Sequence, residues 1–387
     1  MYRIVYRRGT VSMTVYDPLD SRYSVTSAVY SRETNTIGKL TFSLLHDHPF
    51  REELDEYIGT VHLLWNGKLL YSFRIIGIRR DFFNRLSVTC EGLLGYLNDS
   101  VVRPYTFNAS SAIYPTADMS AHRCTPAGFL KELINMHNIQ VKPSQQFGFT
   151  DATNGAFDDI GFTVSQTSYT TTWKEIEEKI INNVGGYLQY SSVNLTPGDG
   201  GYSHYLVYRA TLSDTNAQAV RFSVNLKDLE TDTGTAVFAT ALHPVSTYTD
   251  ENGQQHTLEI NGNEVNDGKY YVQHNAAVAA HGRIIAAVRY EGISSAYQLK
   301  AIAQRDLSAY ITRGRQITAS ALDMTAIDST ATPLEVDRST RIISEPNGVN
   351  TSAMLNAFEV DLLDPSASRF TFNGEVPSFV RKKYLYT

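Results

Sequence analysis

Two cysteines in the whole chain, Cys90 and Cys124, are too few for a disulfide framework and read as buried free thiols. No apolar run approaches the roughly 20 residues that a helical membrane span needs, so stable membrane insertion is not expected. The start, MYRIVYRRGTVSM, alternates from its second residue and lacks the apolar centre of an export signal; it reads as the first strand of a soluble protein. No basic run exceeds Arg381-Lys382-Lys383, and the formal net charge is −6. A chain-wide footprint for nucleic acid is therefore missing. Nor is there a Walker motif, a G-x-S-x-G, an H-E-x-x-H or a C-x-x-C.

What the chain does have is length and aromatic content. Its 387 residues suffice for more than one core, and 24 Tyr and 17 Phe favour strands. Residues 1–98 read as all β. In GKLTFSLL, Leu40, Phe42 and Leu44 share one face, and in RLSVTCEG Leu86, Val88 and Cys90 do. Asn66-Gly67 marks a hairpin tip, and RDFFN a second turn. Past Ser100 the pattern changes. Thr125-Pro126 predicts a helix start, with Phe129, Leu130, Leu133, Ile134 and His137 on one face. Thr172-x-x-Glu175 reads as a capping box for a second helix, with a stripe of Trp173, Ile176, Ile180 and Val184 and a stop at Gly185-Gly186. A third helix follows Ser294-Ser295, with Leu299, Ile302, Ala303, Leu307 and Tyr310 inward and Gly314 as its stop. The end is β again, so two β modules flank an α+β centre.

Several constellations invite chemistry, and each has a plainer reading. His46 and His48 in LLHDHP sit two apart, as metal ligands on a strand would, but Pro49 and the lack of a third ligand favour a surface turn. Cys90 or Cys124 with His122 or His137 would make a thiol–base pair, yet Cys90 lies on an apolar strand face. DATNGAFDD carries oxygens without calcium-loop spacing, and the GDGG before Tyr202 lies in a hairpin turn. Asp158-Asp159 is a carboxylate pair with no cleft assigned. No catalytic, cofactor-binding or metal residue is assigned from the sequence, and no cofactor is expected.

The order of segments resembles a known family, the tail-tip hub proteins of phages and prophages, also called tail-associated lysin or prophage tail endopeptidase. The resemblance is carried by SAVYSRETNTIGKLTFSLLHDHP and the closing RLSVTCEGLLGYLNDS, by TTWKEIEEKIINNVGGYLQY, by NEVNDGKYYVQHNAAVAAHGRIIAAVRYEG, and by LNAFEVDLLDPSASRFTFNGE. It implies an α+β, β-dominated fold, with two β-barrel-like modules forming a ring in a trimer and peripheral α+β insertion domains. The implied domains are 1–99, an N-terminal hub module; 100–217, a peripheral α+β domain; 218–245, strands joining the second barrel; 246–315, a small α+β domain with the long helix; and 316–387, strands completing the second barrel.

The implied role is structural and non-enzymatic: a homotrimeric hub at the virion tail tip, adapting a hexameric tube to a threefold tip. Its implied partners are tube proteins above and fibre, central spike or receptor-binding proteins below, with a separate lysin and genomic DNA in transit. Alternatives are a cell-wall-degrading tail endopeptidase and a glycan-binding adhesin. Ring contacts would call for complementary sheet edges. Many relatives have Gly where this chain has Asp337, and many continue into a further lysin or fibre-attachment region past the equivalent of Thr387.

Overall fold

A computed structural model describes residues 1–113, 123–158, 162–191, 202–232, 238–250, 254–311, 316–328 and 330–373. They form two compact units. One takes the described residues of 1–95, 213–232 and 315–374; the other takes those of 96–212 and 233–314.

The first unit holds a curled sheet of 13 strands. In chain order they are β1 (Tyr2–Arg8), β2 (Val11–Tyr16), β3 (Ser27–Glu33), β4 (Lys39–Leu44), β5 (Thr60–Trp65), β6 (Lys68–Arg80), β7 (Leu86–Gly92), β8 (Val220–Arg221), β9 (Leu226–Asp232), β10 (Gln316–Ala321), β11 (Arg338–Ser344), β12 (Val349–Asp361) and β13 (Arg369–Asn373). Their order in the sheet is β9-β10-β13-β12-β3-β4-β7-β6-β5-β1-β2, with β11 paired to β12 and β8 to β11. Only β8–β11 is parallel among these pairs. The N-terminal and C-terminal strands thus meet at β3–β12, where Ala357 faces Glu33 and Asp361 faces Val29.

Alternation explains why this sheet has one buried face. Leu40, Phe42, Leu44, Leu86, Val88 and Cys90 are all buried, as their period of two requires. They share a core with Leu355, Phe358, Phe370 and Phe372 from the C-terminal strands. The β5–β6 hairpin turns at Asn66 and Gly67, both at positive φ (47° and 77°), the geometry that selects Asn-Gly.

The second unit holds the helices. α1 (Pro126–Asn138) is capped by Thr125, whose hydroxyl accepts from Gly128 N, and buries the face expected of it. α2 (Thr172–Ile176) runs on into a π-helical turn at Glu177–Ile181. Its cap is Thr171, whose hydroxyl accepts from Lys174 N, so the expected capping box is displaced by one residue. Thr172 and Glu175 are instead fully buried, drawn inward by polar partners described below. The stripe of Trp173, Ile176, Ile180 and Val184 is buried, and Gly185 and Gly186 both adopt positive φ. α3 (Ala296–Ile311) buries its five expected residues against a sheet of four strands centred on Ala241–Thr249. Its expected stop, Gly314, lies outside the described residues. The short helix Asn275–His281 was not foreseen, although its alanines favour it.

Candidate functional site

The joint between the two β modules is made by stretches far apart in sequence. β12 pairs with β11 along Val349–Leu355 and with β3 along Ala357–Asp361. Asn356 is the extra residue where the partner changes, a β-bulge between Leu355 and Ala357. Its carbonyl accepts from Thr34 N at 2.8 Å. The Thr34 hydroxyl donates to Asp337 Oδ1 at 2.7 Å, and Asp337 N donates to the Leu355 carbonyl at 2.9 Å. Asp337 sits at φ 70°, the left-handed region that favours glycine and tolerates Asp. Glycine would satisfy that backbone but leave Thr34 without its carboxylate. Asp337 is the sequence departure singled out above, and the joint gives it a purpose.

An aromatic ladder crosses the same seam. Tyr30 of β3 lies 5.0 Å from Tyr71 and 5.8 Å from Phe73 on β6, and 5.0 Å from Phe358 on β12. Burial pushes the Tyr30 phenol well above its ordinary value, so it stays neutral. Beside the seam opens a groove of about 510 Å³, lined by Arg32, Glu33, Lys39, Glu359 and Arg369 among others. Mixed signs of charge at this spacing suit a polar protein surface better than a polyanion.

The sequence candidates for chemistry are dispersed. Cys90 is fully buried between Leu40 and Ile75, and burial raises its thiol far above the ordinary value. Glu91 points away and is taken by Arg74, Nε to Oε1 at 2.6 Å. Arg74 also donates to the Gly95 carbonyl at 2.8 Å. A Cβ on Gly95 would come within 2.4 Å of the Glu91 carboxyl, so this glycine provides room rather than a special φ. Cys124 is half-buried and donates to the Phe162 carbonyl at 2.7 Å. His46 is exposed, whereas His48 is buried with Nε2 2.8 Å from the Val15 carbonyl. Phe50 N donates to His48 Nδ1, which leaves Nε2 as the donor. The expected surface turn therefore has one inward histidine, which covers the bulged edge residue of β2. Asp158 is exposed in its loop; Asp159, His122, the GDGG stretch and the Arg381 run lie outside the described residues.

Two polar clusters in the second unit were not foreseen. His137 Nδ1 lies 2.7 Å from Ser100 Oγ, and Nε2 lies 3.0 Å from the Gln145 carbonyl. A carbonyl only accepts, so Nε2 carries the proton and Ser100 donates to Nδ1. Thr172 Oγ1 then donates to Ser100 Oγ at 2.7 Å. A serine hydroxyl on an imidazole is the geometry of a nucleophile and base, but all three side chains are wholly buried and no substrate reaches them. Its role is to satisfy buried polar groups. In the second cluster, Glu175 accepts from Tyr105 OH and from Gln166 Nε2 at 3.2 Å. Burial raises the Glu175 carboxyl above its ordinary value. The sequence signal for both was a polar residue on a buried helical face.

Among the described residues, no group of three or more His, Cys, Asp or Glu is placed to hold a metal. No described helix is long and apolar enough to cross a membrane.

Comparison with known proteins agrees with this architecture. Residues 213–382 match the family model described as prophage endopeptidase tail. The fold is similar to that of a tail protein from Neisseria meningitidis (TM-score 0.60, 11% identity, 99% of each chain). It is also similar to the 43 kDa tail protein of prophage MuSo2 from Shewanella oneidensis (TM-score 0.57, 13% identity, 98% of this chain and 99% of that one). A third is the E. coli c3393 protein, described as a type VI secretion component with structural similarity to the phage T4 tail proteins gp27 and gp5 (TM-score 0.50, 8% identity, 94% and 74%). At these identities the likeness is one of fold. No curated protein sequence matches the chain. The likeness is thus to phage and prophage tail proteins: the prophage endopeptidase tail model spans residues 213–382, and the fold shared with solved tail proteins spans nearly the whole chain.

Proposed function

We propose that this structural tail protein is a non-enzymatic, homotrimeric hub at the virion tail tip. The observation that carries the reading is the β3–β12 seam, which welds two β modules of one chain into one sheet. Three copies would then present six β modules, matching a hexameric tube on one side and a threefold tip on the other. The partners are tube proteins above and fibre, spike or receptor-binding proteins below, with a separate lysin and DNA only in transit. The domain limits of this reading are 1–99, 100–217, 218–245, 246–315 and 316–387. The absence of catalysis is supported by the inaccessibility of Cys90 and of the Ser100–His137 pair.

The test is mass in solution by sedimentation velocity, with cryo-electron microscopy of assembled tails. Three copies at the tip are expected. A monomer in solution that takes no place at the tip overturns the reading, and clearing of purified peptidoglycan by the chain alone restores the enzyme.

A further inference from the structure

The large sheet has three terminal strands, and each is guarded, β8 by a length of only two residues. At β2 the bulged Val15 carbonyl is covered by His48. At β9 the strand carries Lys227, Asp228 and Glu230 and is itself bulged between Leu226 and Asp228. Charges and bulges at an edge oppose strand addition. Strand addition between copies of this chain is therefore disfavoured, which favours side chains for a self-contact.

The side chains that stand out are at the β6–β7 tip. Phe82 and Phe83 are 94% and 83% exposed, their rings T-shaped at 5.4 Å. The turn that lifts them is ordered. Asp81 N donates to the Arg85 carbonyl and Asn84 N to the Asp81 carbonyl, both at 3.0 Å. The Asp81 carboxylate accepts from Arg85 N at 2.9 Å. The buried Arg51 guanidinium holds both the Asn84 carbonyl and its side-chain oxygen, at 3.0 and 3.1 Å. An aromatic pair on an ordered turn loses little freedom on binding, which is how anchor residues behave.

The same chain carries a recess of matching chemistry. In the second unit, Val101, Pro104, Ile113, Met136, Ile139 and Tyr169 line a cavity of about 640 Å³, with Arg103 beside them. That volume is in the range, about 300–1,000 Å³, that buries a drug-sized ligand. Ile139 and Tyr169 are 65% and 70% exposed, so the recess is open. The Gln140 amide fixes its wall by bonding Val101 N and O at 3.0 and 3.1 Å. A guanidinium near the recess suits the face of an incoming ring.

We propose that Phe82 and Phe83 of one copy anchor in this recess of the next. A projection and a recess at different places on one chain make a heterologous contact, the kind that closes a ring. A lipid surface is the other sink for two phenyl rings. Against it, two of the arginines beside the tip are paired with carboxylates: Arg80 with Glu52 at 2.9 Å and Arg85 with Asp81 at 3.0 Å. The contact rests on the trimer reading above and names its interface.

The test is sedimentation velocity across concentration for the wild type and for Phe82→Ser/Phe83→Ser. Both rings are exposed, so the variant keeps the wild-type Tm. Its self-association is expected to weaken by about 100-fold, the loss of two anchor residues. Separately, Phe83→Cys with Ile139→Cys is expected to give a disulfide-linked ladder up to three chains, absent from either single variant. Unchanged association of the double serine variant, or no ladder, overturns the contact while leaving the trimer. A wild type that is monomeric at every concentration removes the trimer itself and the contact with it. Vesicle binding that the serine variant loses, with association intact, assigns the tip to lipid and overturns the contact.

Discussion

Thr34 Oγ1 donates to Asp337 Oδ1 at 2.7 Å, a buried hydrogen bond between residues 303 positions apart. It pins the exit of β3 to the entry of β11 where β12 changes partner. Losing the donor leaves a buried carboxylate one bond short. Thr34→Val is therefore expected to cost about 1–3 kcal/mol, read as a lowered midpoint in denaturant unfolding. No change in midpoint would mean that the bond is idle. Asp337→Ala should cost about 1 kcal/mol more than Asp337→Gly, because only the alanine strains the left-handed backbone.

Gly95 and Glu91 should behave as a coupled pair. Gly95→Ala drives a methyl into the Glu91 carboxyl and disturbs its bond to Arg74. In a Glu91→Ala background the same substitution should cost less, with a coupling energy of about 0.5–3 kcal/mol. Additive midpoints in the double-mutant cycle would rule the coupling out.

Cys90→Ser places a hydroxyl in a wholly apolar position and is expected to destabilise by about 1–3 kcal/mol. Assembly of the folded variant should be normal. In the native protein a thiol reagent should modify Cys124 well before Cys90, since only Cys124 is partly exposed. Rapid modification of Cys90 in native protein would contradict its burial.

Glu175 sets a pH dependence. Its carboxyl is raised by burial, so folding favours the neutral form. The stability this gives is full below the unfolded carboxylate value and is lost as pH rises through the higher folded value. Glu175→Gln is neutral throughout. Its Tm should exceed that of the wild type at pH 8, and the gap should close near pH 4. A gap that is constant with pH would remove the titration.

Much of the fold was legible because it rests on local energies. Thr125 capping α1, Asn66-Gly67 at a hairpin tip and Leu86, Val88 and Cys90 on one strand face all follow from neighbours within a few residues. The one-residue slip of the α2 cap shows the limit. Thr171 and Thr172 both suit a cap, and the choice fell to Ser100, which takes the Thr172 hydroxyl inward across 72 positions.

The sequence by itself determined the β-rich composition, the alternation and helix stripes that choose each buried face, and the order of segments that resembles phage tail proteins. Only the tertiary structure decided that Asp337 answers Thr34, that Glu91 belongs to Arg74, that His48 covers an edge carbonyl, and that Phe82 and Phe83 stay in the open. The physical reason is separation along the chain. Periodicity and turn preference are set by adjacent backbone, whereas the partner of a buried polar group exists only once the sheet has brought distant strands into register.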